Sequence, residues 1–336
     1  MKILDCTLRD GGYINNWRFN NTFIDNYIDI TNKYRNYIEY IEIGFINIKK
    51  KYRDEIVGNL RNLSIEIINK FSSKSKCKIA VMADLKNINL DLLKNNLLPK
   101  KIDLIRIAFH KKEIEKTINV TKRLIELGYK VSLNIMAITN YTEEEVLNLI
   151  KEINKYKIDY VYLADSYGSL NNIELKKLLD IFNSNTTKTG LHLHNNMQNA
   201  ISNFNYIQKY TNKIYLIDTT MFGMGRGAGN LPLETTLISL DNKLNLETFI
   251  SLLNFINKEI KKSFYKNINS WGYDLDYLLS GYLSIHPNYV SKMRDMEIDM
   301  SNTFKLLQKI KSQNEHKYFN KDFLLNLVDK NNEELI

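Results

Sequence analysis

Cysteine is scarce in this sequence, with Cys6 and Cys77 the two in 336 residues. Two cysteines cannot build a disulfide framework, which favours a reducing compartment. Long apolar runs are missing as well: charged residues interrupt those near the N-terminus, and none is long enough to cross a bilayer. Neither a signal peptide nor a membrane span is predicted, so we expect a soluble cytoplasmic protein.

Positive charge is in excess, but it is dispersed. The net charge is +9, from 47 Lys and Arg against 38 Asp and Glu. Basic proteins can bind nucleic acid or anionic membranes, yet here the lysines are spread along the chain among asparagines and isoleucines. We therefore predict neither a nucleic-acid partner nor a membrane partner, and we retain anionic substrates as a secondary interpretation.

Apolar, β-branched segments alternate with amphipathic ones along most of the chain. With 44% hydrophobic and 25% charged residues, a packed core is feasible. Eight strand–helix units over about 240 residues are typical of a (β/α)8 TIM barrel. An open doubly wound sheet is the alternative, because it shows the same alternation. The predicted strands are Lys2–Cys6, Tyr37–Phe45, Lys78–Met82, Ile102–Phe109, Lys130–Met136, Tyr160–Ala164, Gly190–His194 and Ile214–Asp218.

Polar and glycine-rich residues collect where these strands end. Active sites of TIM barrels are built from the loops at that end of the strands, so this convergence favours the barrel over the open sheet. From about Asp241 the segments are helical with no strand between them. We predict a TIM-barrel catalytic domain over residues 1–240 and a helical C-terminal region over residues 241–336. The second region is interpreted as a lid or a dimer surface, so a homo-oligomer is compatible with the sequence.

Histidine is also rare, with five in the chain, yet His192 and His194 lie within three residues. Alternate side chains of a strand share a face, so the two imidazoles point one way while Leu191 and Leu193 point the other. This arrangement suits two ligands of a divalent metal. The alternative is a pair of polar residues on the wet face of an edge strand.

Asp10 can supply a third ligand, because it closely follows the first predicted strand. Two imidazoles and a carboxylate accept Mn, Mg, Zn, Fe or Co and leave positions open for substrate or water. Arg9 beside such a metal could hold a carbonyl or enolate oxygen and oppose its charge. A surface salt bridge or a helix N-terminal Asp is the alternative. Gly11 and Gly12 argue against it, since glycines allow close approach to a ligand.

A glycine-rich run, residues 223–229, follows the last predicted strand. An ordinary tight turn is the favoured interpretation, and a phosphate-binding loop is the alternative. A dinucleotide-binding loop is disfavoured, because no second strand with an acidic end follows. Asn230, directly after the run, is a candidate fourth metal ligand or substrate contact.

Five short motifs occur in order within residues 1–235. They are Thr7-Leu8-Arg9-Asp10-Gly11, Ile105-Arg106-Ile107-Ala108-Phe109-His110, Asp165-Ser166-Tyr167-Gly168, His192-Leu193-His194-Asn195 and Gly225-Arg226-Gly227-Ala228-Gly229-Asn230. Together they resemble the DRE-TIM metallolyase (HMG-CoA lyase-like) superfamily, and within it they are most similar to the 4-hydroxy-2-oxovalerate aldolases. The resemblance implies a TIM barrel whose divalent metal, commonly Mn²⁺ or Mg²⁺, binds a 2-oxo acid such as pyruvate and steadies its enolate. It implies metal ligation by Asp10, His192, His194 and Asn230, and enolate stabilisation by Arg9.

Three further residues are predicted to bind substrate. The resemblance places Ser166 near the substrate carboxylate. His110 is the last residue of the motif at residues 105–110, which also matches the aldolases. His286, before Pro287, either enters the site or caps a helix. The expected partners are a small-molecule 2-oxo acid and an aldehyde. The C-terminal region resembles that of the aldolases only loosely, so no dehydrogenase partner is carried over.

Two departures from the superfamily concern the residues after Asp10. The aldolases have a histidine at the position of Tyr13 as acid/base for the C4 hydroxyl, and an unperturbed tyrosine pKa near 10 gives a poor base at neutral pH. Tyr13, His286, Tyr282 and a metal-bound water are therefore all candidates for the base. The acyl-CoA condensing branch has Glu-Gln where Gly12-Tyr13 stand, which disfavours a Claisen-type reaction. We predict a metal-dependent aldolase, a carbon–carbon lyase acting on a 4-hydroxy-2-oxo acid. A condensing enzyme and a non-catalytic binding barrel are the alternatives.

Overall fold

Eight parallel strands form a closed barrel, in which each strand pairs with the next along the chain and the last pairs with the first. The closed sheet excludes the open doubly wound alternative and confirms the predicted TIM barrel. The strands are β1 Lys2–Asp5, β2 Ile38–Ile46, β3 Lys78–Ala83, β4 Leu104–Phe109, β5 Val131–Ile135, β6 Tyr160–Asp165, β7 Thr189–Leu193 and β8 Ile214–Thr219, each within two residues of its predicted bounds. This computed structural model describes residues 1–46, 58–83, 85, 88, 101–185, 188–210, 214–241, 243–265 and 271–333.

Several of the helices around the barrel begin at a capping side chain. The Thr142 hydroxyl accepts from the backbone N–H of Glu145, whose carboxylate accepts from the N–H of Thr142, which forms a capping box. Asn20 caps the helix after β1 by accepting from the N–H of Phe23. These helices are α1 Gly12–Asn15, α2 Asn21–Lys33, α3 Ile65–Lys74, α4 Ile114–Glu126, α5 Glu143–Ile153, α6 Asn172–Asn185, α7 Ala200–Ile207 and α8 Leu233–Leu240.

The described part of the C-terminal region is helical and has no strand, as predicted. Phe255 packs on Phe23 with ring centroids 5.4 Å apart, so the first of these helices shares the core of the barrel. The later helices enclose a second core around Tyr289 and Leu307. The domain boundary at residue 240 stays a prediction. The helices are α9 Leu246–Phe255, which continues through the π-helical Ile256–Lys261 and the turn Lys262–Phe264, then α10 Leu275–Tyr282, α11 Asn288–Asp295, α12 Met300–Ser312 and α13 Lys321–Glu333.

Inward-pointing side chains form an apolar cluster inside the barrel. Its members include Leu4, Tyr40, Leu104 and Tyr162. The guanidinium of Arg106 lies over the Tyr162 ring, with Cζ 4.5 Å from the ring centroid, and this stacking joins the apolar cluster to a set of buried charges. None of the described helices has the length and apolar character that crossing a membrane requires.

Candidate metal centre and active site

Strand β7 directs His192 and the following His194 into the barrel. Both side chains are almost fully buried, and their Nε2 atoms lie 3.3 Å apart. Leu191 and Leu193 face outward into the main hydrophobic core, where burial of each contributes roughly 1.5–3 kcal/mol. Because the described strands close on themselves, β7 is no edge strand, and the alternative of a wet histidine face is wrong.

Asp10 reaches the histidines from the turn that follows β1. Its backbone N–H donates to the carbonyl of Cys6 at 2.8 Å, and its side chain is fully buried. Oδ2 of Asp10 lies 3.3 Å from Nε2 of His192 and 4.0 Å from Nε2 of His194. Adjacent ligands of an ion with bonds of about 2.1 Å lie about 3 Å apart. The three atoms can therefore share one ion after small shifts.

Buried oxygens beside the histidines also fit a metal. Oδ1 of Asn230 is buried and accepts no hydrogen bond from the described residues, and the buried carboxylate of Asp10 has only its contacts with Arg9, His192 and His194. Asn230 pairs with His194 in an isolated β-bridge, and its Nδ2 donates to the carbonyl of Met224 at 3.1 Å, which leaves Oδ1 for coordination. Unpartnered buried oxygens are costly, and a divalent cation would compensate them.

Two of the ligand candidates, Asp10 and His192, belong to a closed ring of six buried side chains with alternating charge. Such alternation compensates the cost of placing charges in the barrel. In order around the ring, the side chains are Asp10, His192, Asp218, Arg106, Glu42 and Arg9, with successive contacts of 3.3, 2.9, 2.5, 2.9, 2.7 and 3.1 Å, the last of which returns to Asp10.

This ring sets the protonation of the candidate ligands. Burial acts to raise the pKa of Asp10, but the charge of Arg9 and a hydrogen bond from His192 outweigh it and lower that pKa well below its usual value. Burial acts to lower the pKa of His192, yet Asp10 and Asp218 raise it. Burial, aided by neighbouring cations, lowers the pKa of His194 to about 3 although Asp10 opposes the shift. His194 is therefore neutral and able to ligate, whereas the raised pKa of His192 opposes ligation, because a metal binds the deprotonated imidazole.

A second trio of potential ligands, Cys6, His192 and Asp218, overlaps the first. Burial raises the pKa of the Cys6 thiol well above its usual value, so no thiolate is available for a metal. Oδ2 of Asp218 is already bonded to Arg106 and to His192. The trio with Asp10 is therefore the better site, and Cys6 is a free, buried residue of the barrel interior.

The loop after β8 is fastened to the segment that follows the histidines. Oδ1 of Asn196 accepts from the N–H of Ala228 at 2.9 Å. Gly227 has a φ of +63°, and a Cβ there would lie 2.6 Å from that same Oδ1, so glycine is required. The glycine-rich run is thus a set of tight turns, the favoured interpretation, and it holds Asn230 beside His194.

The groups that approach Gly11 and Gly12 closely belong to the protein, where a ligand was predicted: the Thr7 carbonyl and Met224 at Gly11, and Trp17 at Gly12. A Cβ on Gly12 would lie 2.1 Å from the Trp17 ring. Nε1 of Trp17 in turn donates to the carbonyl of Arg9 at 2.8 Å. The close approach that glycine permits therefore lets an indole hold the turn carrying Arg9 and Asp10.

Tyr13 lies at the barrel mouth between two cavities. Its ring meets that of Trp17 edge-on with centroids 4.6 Å apart, and the guanidinium of Arg226 lies over it at 4.3 Å. Tyr13 lines a cavity of about 910 Å³ together with His110. It also lines a cavity of about 270 Å³ together with Arg226. A molecule in either cavity can therefore contact Tyr13.

The structure brings the other predicted residues to the mouth in different ways. His110 lines the larger cavity and meets the Tyr318 ring edge-on at 4.6 Å. Ser166 follows β6, and its hydroxyl accepts from the N–H of Ala137 at 2.8 Å. Burial lowers the pKa of His286 to about 3, and the charge of Arg226 is the next largest cause, which places His286 near the loop after β8.

Tyr282 does not join the site. Its side chain is 71% exposed on α10, where it lines an apolar groove with Leu275, Met300 and Phe304. Of the side chains considered as the base, the structure thus leaves Tyr13 and His286.

Comparison with known proteins identifies the family. The HMGL-like family model matches residues 1–258. The chain belongs to the HMGL-like family. This confirms the resemblance to the DRE-TIM metallolyases, and members of the family depend in general on a divalent metal.

Individual HMGL-like relatives differ in their reactions. The 4-hydroxy-2-oxovalerate aldolase of Geobacillus genomosp. 3 is 24% identical over 272 residues, covering 76% of this chain and 75% of the relative. The homocitrate synthase AksA of Methanosarcina acetivorans is 26% identical over 222 residues, covering 63% and 52%. The N-terminal domain of a proposed aldolase from Bacteroides vulgatus has a similar structure, with a TM-score of 0.76 and 30% identity, covering 90% of this chain and 98% of that domain.

Four residues of this HMGL-like site are missed when the sequence is considered alone. They are Glu42, Arg106, Asp218 and Arg226. Arg106 and Asp218 are the single charged residues of the apolar strands β4 and β8, and Glu42 is the buried one of two glutamates in β2. This was the available signal, because a charge in a buried strand requires a partner. The sequence indicated a site role for Arg226 less clearly, since a side chain in a glycine-rich loop can point in many directions.

Proposed function

We propose that this protein is a divalent-metal-dependent aldolase that makes or breaks the C3–C4 bond of a 4-hydroxy-2-oxo acid. The observation that carries the proposal is the juxtaposition of Asp10, His192 and His194 with the guanidinium of Arg9. A divalent cation held there with Asn230, Mn²⁺ or Mg²⁺ by resemblance, would supply a Lewis acid for the 2-oxo oxygen. The similarity to a 4-hydroxy-2-oxovalerate aldolase supports the same class of reaction.

Arg9 opposes the negative charge that develops on the 2-oxo oxygen as C3 becomes nucleophilic. Its Nε donates to Glu42 at 2.7 Å and its Nη1 lies 3.1 Å from Asp10, while Nη2 has no acceptor among the described residues. The two carboxylates fix the guanidinium plane, so Nη2 needs no reorganisation to donate to substrate. Burial acts to lower the pKa of Arg9, but Glu42 and Asp10 raise it well above its usual value, so the positive charge persists.

Tyr13 exchanges the proton of the C4 hydroxyl in this proposal. Contacts with Trp17 and Arg226 hold its ring where both cavities meet. His286 is the competing base, but a pKa of about 3 makes it a weak one, because a general base is most effective near the working pH. We assign hydrogen bonding of the substrate to His286, together with Ser166 and His110.

A Claisen-type condensation is the second candidate, because a homocitrate synthase is among the relatives. In that reaction the 2-oxo acid is the electrophile and an acyl-CoA provides the nucleophilic carbon. The Gly12-Tyr13 pair in place of Glu-Gln disfavours it. A non-catalytic barrel is disfavoured too, because the buried ligand trio is intact.

Proton exchange tests the donor half of the reaction without knowledge of the aldehyde. In heavy water, the methyl protons of pyruvate or a close 2-oxo acid should exchange for deuterium, followed by NMR. Exchange should require Mn²⁺ or Mg²⁺, stop with EDTA and fall about 10²- to 10³-fold in Arg9→Ala, as for loss of one oxyanion donor. Arg123→Ala is a matched control, because this arginine lies on the outer helix α4, paired with Glu126.

The same measurement separates the alternatives. If a panel of 2-oxo acids shows no metal-dependent exchange while acetyl-CoA does exchange, the condensing function replaces the aldolase. If neither donor exchanges with any of the candidate metals, the barrel is a binding protein and the proposal is wrong.

A further inference from the structure

Arg226 has no counter-charge among the described residues. No described carboxylate lies within ion-pair distance of its guanidinium, and its Nε is buried without a hydrogen-bond partner. The other two arginines of the site differ: Arg9 is paired with Glu42 and Asp10, and Arg106 with Glu42 and Asp218. A half-buried guanidinium without an anion is an incomplete interaction, which a bound carboxylate or phosphate would complete with paired hydrogen bonds.

Arg226 is held in place by the protein. Its guanidinium lies 4.3 Å from the centroid of the Tyr13 ring, and Tyr13 packs against Trp17 and Phe45. The neighbouring Gly227 packs against Asn196, as described above. A guanidinium held by stacking loses little freedom on binding an anion, so the position is preorganised.

The cavity beside Arg226 is polar and small. It measures about 270 Å³, and its wall includes Asn288, Ser291 and Arg294 besides Tyr13 and Arg226. Asp295 also lines it, with its carboxylate 3.7 Å from Nζ of Lys292. Arg294 is already compensated, because it lies 3.3 Å from Asp274 and 3.9 Å from Asp276. Arg226 is thus the cation of this cavity without a paired carboxylate among the described residues, and the amide of Asn288 is a further donor in its wall.

The place of this cavity indicates which half of the substrate enters it. Tyr13, the proposed acid/base for the C4 hydroxyl, separates the small cavity from the larger one. Groups on the far side of C4 belong to the aldehyde half of the substrate. Ser166, assigned to the donor carboxylate, follows β6, whereas Arg226 comes from the loop after β8.

We infer that Arg226 binds an anionic group, a carboxylate or a phosphate, carried by the aldehyde half of the substrate. The inference rests on the proposed aldolase function and adds a substrate class to it. The substrate is then a 4-hydroxy-2-oxo acid with a second negative charge beyond C4, and the preferred acceptor is an acidic aldehyde.

Aldol synthesis with matched aldehydes tests the inference. Pyruvate is combined with each of two pairs of aldehydes. The phosphate pair is D-glyceraldehyde 3-phosphate and neutral D-glyceraldehyde, and the carboxylate pair is glyoxylate and neutral acetaldehyde. Arg226→Ala should lower kcat/KM for the charged aldehyde of at least one pair by about 10- to 100-fold, the loss expected for a charge-assisted hydrogen bond. Loss of the contact between Arg226 and the Tyr13 ring slows both aldehydes of a pair, so the decisive quantity is the charged-to-neutral ratio of kcat/KM, which should fall about 10- to 100-fold in Arg226→Ala. The ratio in Arg226→Lys should lie between those of wild type and Arg226→Ala, and Arg123→Ala should match the wild type. The aldehydes differ in intrinsic reactivity, but this difference cancels when kcat/KM of the variant is divided by that of the wild type for the same aldehyde.

Tryptophan fluorescence gives a second readout that does not depend on turnover. The chain has two tryptophans, Trp271 in the wall of the small cavity and Trp17 against Tyr13. Titration with glycerol 3-phosphate or glycolate should change the emission saturably, whereas glycerol should not. In Arg226→Ala the dissociation constant of the anion should rise about 10- to 100-fold.

The outcomes separate this inference from the proposed function. If wild type and Arg226→Ala exchange pyruvate protons equally but the charged-to-neutral ratio is unchanged, the inference is wrong and the aldolase stands. If Arg226→Ala loses the exchange itself, Arg226 serves the donor half and the assignment to the aldehyde is wrong. If wild type exchanges no donor, the titration decides: equal anion affinity in wild type and Arg226→Ala, or no binding by either, overturns the anion site.

Discussion

Nδ1 of His192 lies 2.9 Å from Oδ2 of Asp218, and this contact couples the metal-ligand candidates to the charges inside the barrel. A histidine that gives one ring nitrogen to a carboxylate presents the other to a metal, with its orientation fixed. Asp218 is in turn held by Arg106 at 2.5 Å. The direction of the His192 ring is therefore set by residues of the strands, which are more rigid than the loops of the mouth.

The first prediction concerns Asp218→Asn. An amide retains the acceptor for Nδ1 but loses the charge that supports the imidazole, so Mn²⁺ affinity, measured by isothermal titration calorimetry, should fall about 10- to 100-fold. Asp5→Asn is the matched control, because it also changes a buried aspartate near a strand end, one that contacts Tyr27 at 2.6 Å and not the ligand trio. Equal affinity in both variants would show that Asp218 has no such role.

The second prediction concerns the ligands themselves. Asp10→Asn, His192→Ala and His194→Ala should each lose bound metal and activity, measured by elemental analysis and donor exchange. Circular dichroism should stay near wild type, because the changed side chains lie at the barrel mouth and leave the outer core intact. Asn230→Ala should weaken binding less than Asp10→Asn, since it removes a neutral oxygen ligand and leaves the charged carboxylate in place. Wild-type protein without divalent metal after reconstitution with Mn²⁺ or Mg²⁺ would contradict the proposed site.

The barrel could be predicted from the sequence because its signals are local. Each strand is a short apolar run, and the predicted bounds differ from the observed ones by at most two residues. Thr142 and Glu145 marked a helix start through residues three apart. The pair His192 and His194 could be oriented from strand alternation alone, and Asp10 could be added because carboxyl ends of barrel strands converge.

The rest of the site depends on contacts between residues distant in sequence. Glu42 and Arg106 are 64 positions apart, and their contact of 2.9 Å arises only when the barrel closes. The same closure brings Arg226 over Tyr13. Gly12 is a different case. A glycine in the sequence indicates that some group approaches the backbone closely, but it does not identify that group, which here is the indole of Trp17.

The third prediction concerns the pH dependence of stability. Burial raises the pKa of Asp5 to about 6 although Tyr27 and Thr7 donate to it. Between its unfolded value of 3.8 and about 6, the folded protein holds a proton that the unfolded chain has released. The free energy of unfolding should therefore fall as pH rises from about 4 to 6, by about 3 kcal/mol at most from this group, and no further above that range.

Asp5→Asn isolates this contribution, because its amide oxygen can still accept from Tyr27. Urea unfolding at pH 4.5 and pH 7.5 gives the change in unfolding free energy for each protein. The decrease between the two pH values should be smaller in Asp5→Asn than in wild type. An identical decrease in both would mean that Asp5 titrates at its unfolded value.

His286 is the competing candidate for the base, so the variant His286→Ala is the comparison for Tyr13→Phe. His286→Ala should weaken substrate binding and raise KM, since this residue is assigned a hydrogen bond to substrate. If instead His286→Ala abolishes aldol cleavage while Tyr13→Phe is active, the two assignments are exchanged.

The fourth prediction separates the acid/base step from donor activation through Tyr13→Phe. The phenyl ring preserves the packing against Trp17 and beneath Arg226 but removes the hydroxyl that would exchange the C4 proton. Aldol cleavage should therefore slow by about 10²- to 10⁴-fold, the usual contribution of a general acid or base. Deuterium exchange on pyruvate should change far less, because that step does not involve the C4 hydroxyl. A variant that retains both rates would place the base elsewhere in the mouth, whereas a variant that loses both equally would assign Tyr13 to the donor half.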